Sequence, residues 1–171
     1  PTEHVLDVGC GSGGPALFLA REVGCKVTGV DINEAGIRAG LAQARDAHLE
    51  DKVQFRHADV RQQLPFADDA FDAIVCMDVI CHLPDRRRLF DGWQRVLRPG
   101  GLLALQEPMA GPVQPVVFPV MWARDAGSSF IRAPGEMRRV IEAAGFSVRA
   151  WDDVTEEAVG PSTGSAGPAY G

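Results

Sequence analysis

Long apolar runs, clustered basic residues and paired cysteine motifs are all missing from this 171-residue sequence. No stretch is apolar for long enough to span a bilayer, and no secretory signal peptide is recognisable. The net charge is −6 and no long basic run occurs, which argues against a nucleic-acid-binding surface. We therefore expect a cytoplasmic protein that has neither membranes nor nucleic acid as partners.

The cysteines are few and are spaced unlike those of a metal site. Cys10, Cys25, Cys76 and Cys81 form no C-x-x-C pair, and no other metal-ligand spacing is found. We expect four reduced, buried thiols and no metal. A Ser-His-Asp order and an Asn-Pro-Pro-Tyr element are also missing, so neither nucleophilic hydrolysis nor amino methylation of a base or glutamine is indicated.

Length and composition fit one α/β domain, since 46% of the residues are apolar and 23% are charged. We expect this domain to span residues 1–155, with an irregular insertion at 107–133 where prolines recur. Residues 156–171 are rich in glycine, proline and serine, which predicts a flexible tail. Nothing in the sequence indicates an oligomeric state.

Short apolar runs alternate with helical stripes along the chain, which predicts a doubly wound, mostly parallel Rossmann-like sheet flanked by helices. Strands are predicted at 4–8, 26–30, 53–57, 71–77, 102–106 and 146–154. Helices are predicted at 15–23, from the cap Asn33 to about 48, from the cap Asp85 to about 97, and at 134–145. Residues 73–76 are apolar throughout, so we expect the fourth strand to be central.

The chain is organised around residues 5–14, where an apolar strand runs into a glycine-rich turn. Gly9, Gly11 and Gly14 fit the pattern G-x-G-x-x-G, and Asp31 follows at the distance of a dinucleotide fingerprint. Glycines let the backbone turn sharply and approach a ligand where a Cβ would collide. The turn therefore predicts a nucleotide-type cradle at the carboxyl end of a parallel strand.

Two cofactors fit this turn, and Asp7 distinguishes them. A dinucleotide would bring a pyrophosphate dianion onto the loop, which a carboxylate two residues before Gly9 would repel. S-adenosylmethionine carries a sulfonium and an ammonium group, which that carboxylate would attract. We therefore favour S-adenosylmethionine over NAD, and a tight turn without a ligand is the third interpretation.

Residues at the ends of the next two strands suit the nucleoside part of such a cofactor. Asp31 can accept two hydrogen bonds from vicinal ribose hydroxyls, and Ile32 can cover one face of an adenine. Asp59 can accept a hydrogen bond from the adenine amino group, while the Val60 N–H meets a ring nitrogen.

With these residues placed, the sequence resembles the class I S-adenosylmethionine-dependent methyltransferases. It is similar to the small-molecule branch that includes quinone-biosynthesis and glycine- or sarcosine-type enzymes. The matching pieces occur in the family's order, cover most of residues 4–107, and are 5–13, Asp31, 57–60, 71–75 and 97–101.

The resemblance implies roles for individual residues. Gly9 and Gly11 would approach the methionine moiety, and residues 76–78 would lie beside its end. The candidate cofactor-binding residues are Asp7, Gly9, Cys10, Gly11, Asp31, Ile32, Asp59, Val60 and Met77. Helices before the first strand and a seventh, antiparallel strand are usual in the family but are not recognisable here, which suggests that the complete enzyme is longer.

The implied reaction moves a methyl group to a small-molecule acceptor by in-line displacement. A neutral amine or a thiolate needs little beyond proximity, whereas a hydroxyl or carbon nucleophile needs a base. His82 is the candidate catalytic base and Glu107 a weaker alternative. An NAD-dependent oxidoreductase and a non-catalytic domain that binds S-adenosylmethionine are the two alternative functions.

We predict that Asp31→Ala weakens S-adenosylmethionine binding by about 1–3 kcal/mol, because hydrogen bonds to a charged group are lost. Titration calorimetry measures this directly. An unchanged affinity would remove Asp31 from the ribose site.

Overall fold

Five parallel strands form one sheet in the computed structural model, which describes residues 2–159. They are β1 (His4–Val8), β2 (Lys26–Asp31), β3 (Val53–His57), β4 (Phe71–Met77) and β5 (Leu97–Gln106). Their order in the sheet is β3-β2-β1-β4-β5. The chain runs outwards from β1 to β3 and then returns to β4, so the predicted doubly wound sheet is confirmed. A ligand crevice is expected where this order reverses, at the carboxyl ends of β1 and β4.

The helices begin and end close to the predicted residues. They are α1 (Gly14–Phe18), α2 (Glu34–Asp46), α3 (Arg86–Val96), α4 (Pro134–Ala143) and α5 (Thr155–Val159). The Asn33 side chain accepts hydrogen bonds from two N–H groups of α2, and Asp85 accepts one from Arg88, so both predicted caps are confirmed. After α1 the chain widens into a π-helical turn at Leu19–Val23, which Gly24 ends at φ +83°.

Each face of the sheet is covered by its own apolar cluster. Leu6 and Val8 of β1 belong to the cluster under α3 and α4, whereas Val5 belongs to the one under α1 and α2. This split follows from the alternation of side chains along a strand. All four cysteines are buried and free, as the sequence predicts.

The structure refines two predictions about strands. β4 is an interior strand between β1 and β5, as its apolar run indicates, although β1 is the middle strand. An apolar run indicates burial on both faces, which any interior strand shares, so it cannot give the position. β5 also begins earlier than predicted, at Leu97, because a register shift opposite β4 takes up the residues before Leu102.

The predicted sixth strand at 146–154 is absent from the described part of the chain. Phe146, Val148 and Trp151 are still packed against the core, whereas Ser147 and Arg149 face solvent. The alternation in the sequence is therefore real, but a strand also needs a hydrogen-bonded neighbour, and this segment has none in the sheet.

Residues 107–133 form the irregular segment that the sequence predicts, and they are called the insertion below. The insertion contains a single 3-10 turn at Ala126–Ser128, and Val113, Val117 and Met121 are exposed on it. The predicted tail begins with residues of α5, and the rest of it lies outside the described residues. No helix within residues 2–159 is both long and apolar enough to cross a membrane.

The ring of Phe55 holds the glycine turn against the sheet. A Cβ at Gly13 would lie 2.3 Å from Phe55 Cζ, and one at Gly29 would lie 2.7 Å from its Cδ1. A Cβ at Gly40 of α2 would lie 3.0 Å from Cε2. Three glycines thus leave the space that this buried ring fills.

We expect Phe55→Ala to lower the free energy of unfolding by about 3–5 kcal/mol, because it opens a cavity between β2, α2 and the turn. Denaturant unfolding measures the loss. The control is Phe18→Ala, which removes a ring that is 55% exposed, compared with 7% for Phe55. The control should cost less than about 1 kcal/mol. Equal losses would contradict the packing role of Phe55.

Candidate functional site

The glycine turn lies at the carboxyl end of β1, where the strand order reverses. Gly9, Gly11 and Gly13 have φ values of +73°, +54° and +89°, a region that favours glycine. The N–H groups of Gly9 and Cys10 both donate to the Val30 carbonyl, at 2.8 and 3.1 Å. The turn is therefore fixed to the end of β2.

Asp31 joins the glycine turn to the start of α2. Its Oδ2 accepts a hydrogen bond of 2.8 Å from the Gly11 N–H, and its Oδ1 accepts one of 2.7 Å from the Asn33 N–H. A carboxylate offers about four acceptor positions, so two remain for a ligand. The structure thus brings together two of the predicted site residues, Gly11 and Asp31.

The space beside Gly11 is open, whereas the space beside Gly9 is filled. A Cβ at Gly11 would meet no atom within 4 Å, but one at Gly9 would lie 2.1 Å from Val79 Cγ2. A Cβ at Gly36 of α2 would lie 2.7 Å from the Gly11 carbonyl oxygen. The turn is closed by protein on two sides and leaves the backbone of Gly11 accessible to a ligand.

Asp7 is a buried carboxyl with one oxygen left unpartnered. The residue is 2% exposed, and its Oδ2 has no hydrogen-bond partner among the described residues. Burial raises the pKa of Asp7 to about 7, the Ala16 N–H opposes this, and the negative charge of Asp31 adds to it. A cation placed beside this carboxyl would relieve the cost of ionising it.

Cys10 lies in the turn but points into the core. Its thiol is buried, and burial raises its pKa to about 12, so it is not a nucleophile. Only the backbone of Cys10 is available to a ligand.

The residues proposed for the adenine side lie at the ends of β2 and β3. The Ala58 N–H donates to the Asp31 carbonyl at 2.9 Å, so the segment that carries Asp59 is fixed to the end of β2. Asp59 is held by Arg61, whose Nε lies 2.9 Å from Oδ1, and this pairing lowers the pKa of Asp59. Ile32 is 54% exposed, and Val60 is packed on the core. The sequence analysis does not identify Arg61 as the partner of Asp59, although a basic residue two positions after an acidic one indicates that the two side chains can form an ion pair.

The loop after β4 completes the edge of the site. Met77 is 40% exposed, and Asp78 has φ +58° with its N–H bonded to the Gln106 carbonyl. A 3-10 turn at Ile80–His82 follows and leaves His82 exposed. Glu107, the weaker candidate base, uses both carboxylate oxygens to accept backbone N–H groups of this loop, which leaves His82 as the better candidate.

The sequence profile of a family described as "Methyltransferase domain" matches residues 6–105. This range contains the glycine turn, the carboxylates of Asp7 and Asp31, and the loop after β4. This chain belongs to that family. The match confirms the resemblance found from the motifs. The methyltransferase domain also has solved structural neighbours of the class I methyltransferase fold, which confirms the predicted fold class.

Three proteins illustrate the range of relatives. Methyltransferase GfsG of Streptomyces halstedii is 44% identical over 103 residues, which are 60% of this chain and 37% of that protein. The crystal structure of the (4+2)-cyclase SpnF is 32% identical with a TM-score of 0.77, and the match covers 91% of this chain and 56% of that one.

The third protein is geranyl diphosphate C-methyltransferase of Streptomyces coelicolor, solved with Mg2+, geranyl diphosphate and S-adenosyl-L-homocysteine. It is 25% identical with a TM-score of 0.72, and the match covers 84% of this chain and 54% of that one. The chain spans well under half the length of the curated relatives it matches.

The buried carboxyl of Asp7 gives the methyltransferase domain a specific pH dependence. Its pKa lies near 7 in the folded state and at 3.8 when exposed, so the folded protein binds this proton more tightly. The wild type therefore loses stability as the pH rises between those values. Asp7→Asn removes the titration, so its stability relative to wild type should rise by about 1–3 kcal/mol between about pH 4 and about pH 8.

Denaturant unfolding at several pH values measures this difference. Asp46→Asn, at an exposed carboxylate of α2, is the control and should show no such rise. A flat difference for Asp7→Asn would show that this carboxyl is not buried as described.

Proposed function

We propose that this domain binds S-adenosylmethionine and transfers its methyl group to a small-molecule acceptor. One observation carries the proposal. Buried Asp7 has an Oδ2 that finds no hydrogen-bond partner within residues 2–159, and it lies at the strand end that leads into the turn, where the space beside Gly11 is open. A cofactor with a sulfonium and an ammonium group complements that carboxyl, whereas the pyrophosphate of NAD would be repelled by it. The same observation therefore disfavours the oxidoreductase alternative.

Each remaining residue of the site has a proposed contact. The free acceptor positions of Asp31 would bind the ribose hydroxyls. Asp59 would accept from the adenine amino group once Arg61 turns away, and the Val60 N–H would donate to the ring. Ile32 would cover one face of the adenine. At the other end, the backbones of Gly9, Cys10 and Gly11, with Met77 beside them, would surround the methionine part.

The bound cofactor supplies an electrophilic methyl group, so the protein mainly orients the acceptor. We propose His82 as the base for a hydroxyl or carbon nucleophile, because it is exposed on the loop after β4. The exposed apolar residues of the insertion favour a partly hydrophobic acceptor. In a turnover assay over an acceptor panel, His82→Gln should lose activity towards hydroxyl or carbon nucleophiles; retained activity would exclude this role.

One observation favours a second candidate function. A protein named as a cyclase shares this fold at a TM-score of 0.77, so the fold alone does not fix the reaction. The alternative is a domain that binds S-adenosylmethionine without transferring its methyl group. Binding of the cofactor cannot separate the two functions, because both use the same cofactor site. Turnover with the acceptor panel separates them, because only a methyltransferase transfers the methyl group.

A cytoplasmic location and the domain limits 1–155 and 156–171 stay predictions. The four free, buried cysteines support the location, since such thiols are typical of a reducing compartment. The low net charge per residue and its negative sign support a small-molecule partner rather than nucleic acid.

The proposal is tested by parallel titration calorimetry with S-adenosylhomocysteine and NAD. We expect micromolar binding of S-adenosylhomocysteine and no binding of NAD. Gly11→Ala should abolish the binding, because its Cβ enters the open space beside the turn. Gly92→Ala is the control, since a Cβ there also meets no atom within 4 Å but lies in α3. Binding of NAD alone would overturn the proposal, as would undiminished binding by Gly11→Ala.

A further inference from the structure

Glu107 accepts backbone hydrogen bonds from three consecutive residues of another segment. Its Oε1 accepts from the N–H groups of Val79 and Ile80, at 2.9 and 2.8 Å, and its Oε2 accepts from Cys81 at 3.0 Å. Those N–H groups start the 3-10 turn that carries His82, where no strand or helix partner is available to them. The carboxylate oxygens therefore accept the hydrogen bonds that backbone carbonyls of a preceding helical turn would otherwise accept.

Keeping the Glu107 carboxylate ionised at this half-buried position costs free energy. Burial raises its pKa, the three N–H groups oppose that rise, and none of the ion pairs within the described residues includes this side chain. The Cys76 thiol also donates to Oε1, at 3.8 Å. A half-buried carboxylate that forms no ion pair and is bound mainly by backbone N–H groups serves the geometry of the loop it binds.

The loop that Glu107 holds is in direct contact with the glycine turn. Val79 is the first of the three donors, and its Cγ2 occupies the space where a Cβ of Gly9 would lie, 2.1 Å away. A shift of the loop would withdraw Val79 from Gly9 and open the cradle on that side. Glu107 is therefore one contact away from the backbone of the cofactor site.

The far end of the insertion is bound to the same loop. The Phe130 N–H donates to the Cys81 carbonyl at 2.7 Å, and the buried guanidinium of Arg86 donates to the Phe130 carbonyl. Glu107 begins the insertion and Phe130 lies near its end, so both ends are fixed to the loop after β4.

We propose that Glu107 is a positioning residue, whose carboxylate fixes residues 79–82 so that Val79 closes over Gly9 and His82 lies at the mouth of the site. This inference rests on the proposed function, because it assigns Glu107 a part in cofactor binding. It differs from a role as general base, since both oxygens are already used as acceptors. Glu107 thereby couples the start of the insertion to the cofactor cradle.

The test is Glu107→Gln, which keeps the shape but turns one acceptor into an NH2 group that faces a backbone donor. We expect S-adenosylhomocysteine to bind about tenfold more weakly, the scale of one lost charge-assisted hydrogen bond. We also expect faster hydrogen exchange at the amides of residues 79–81, with the amides of β1 unchanged. Glu142→Gln is the control, because that carboxylate is exposed on α4 beside Arg138.

A double-mutant cycle with Val79→Ala tests the route of the effect. If Glu107 acts through Val79, then Glu107→Gln should change the affinity little once Val79 is replaced. Additive effects would overturn the inference, because they would describe a general loss of stability. If Glu107→Gln does not fold, Val79→Ala alone still decides, since an unchanged affinity overturns the inference and a weaker one supports it.

Failure of the inference is distinguishable from failure of the proposed function. Wild-type protein that binds S-adenosylhomocysteine, with Glu107→Gln binding equally well, overturns the inference and leaves the function in place. Wild-type protein that binds none overturns the function. In that case the exchange rates still show whether Glu107 holds the loop, because they are measured without ligand.

Discussion

The hydrogen bond from the Gly11 N–H to Asp31 is the contact on which the rest of the site depends. It fixes the turn after β1 to the end of β2, and the same carboxylate also holds the Asn33 N–H, where α2 begins. The turn can take this path because its glycines adopt positive φ angles. The Asp31 side chain thus sets the relative positions of a strand end, a turn and a helix start, and it still has free acceptor positions.

Two carboxyl groups lie at this edge of the sheet, Asp7 buried and Glu107 half-buried, and their surroundings differ. The carboxylate of Glu107 accepts hydrogen bonds from three backbone N–H groups, and these bonds hold the loop after β4 in place. Asp7 has one oxygen that accepts no hydrogen bond from any of residues 2–159. A buried group without a partner is the costlier arrangement, and this difference supports the proposal that a cationic ligand binds beside Asp7 and not beside Glu107.

Local patterns predicted the elements well where one residue type decides the structure. The caps Asn33 and Asp85 were found because their side chains bond to N–H groups within three residues. The segment at 146–154 was predicted wrongly, because its alternation reports which side chains face the core and not whether a neighbour pairs with it. For the same reason the apolar run of β4 indicated burial but gave no place in the strand order.

The sequence by itself determined the glycine turn, because it depends on residues close together in the chain. It also determined the family, because the family's short motifs occur in order along residues 4–107. Only the tertiary structure decided which carboxyl groups find hydrogen-bond donors. Glu107 and Val79 are 28 residues apart and meet because β4 and β5 are neighbours in the sheet. Contacts between such distant residues depend on how the strands are ordered and how their ends are joined, and no local pattern in the sequence specifies that.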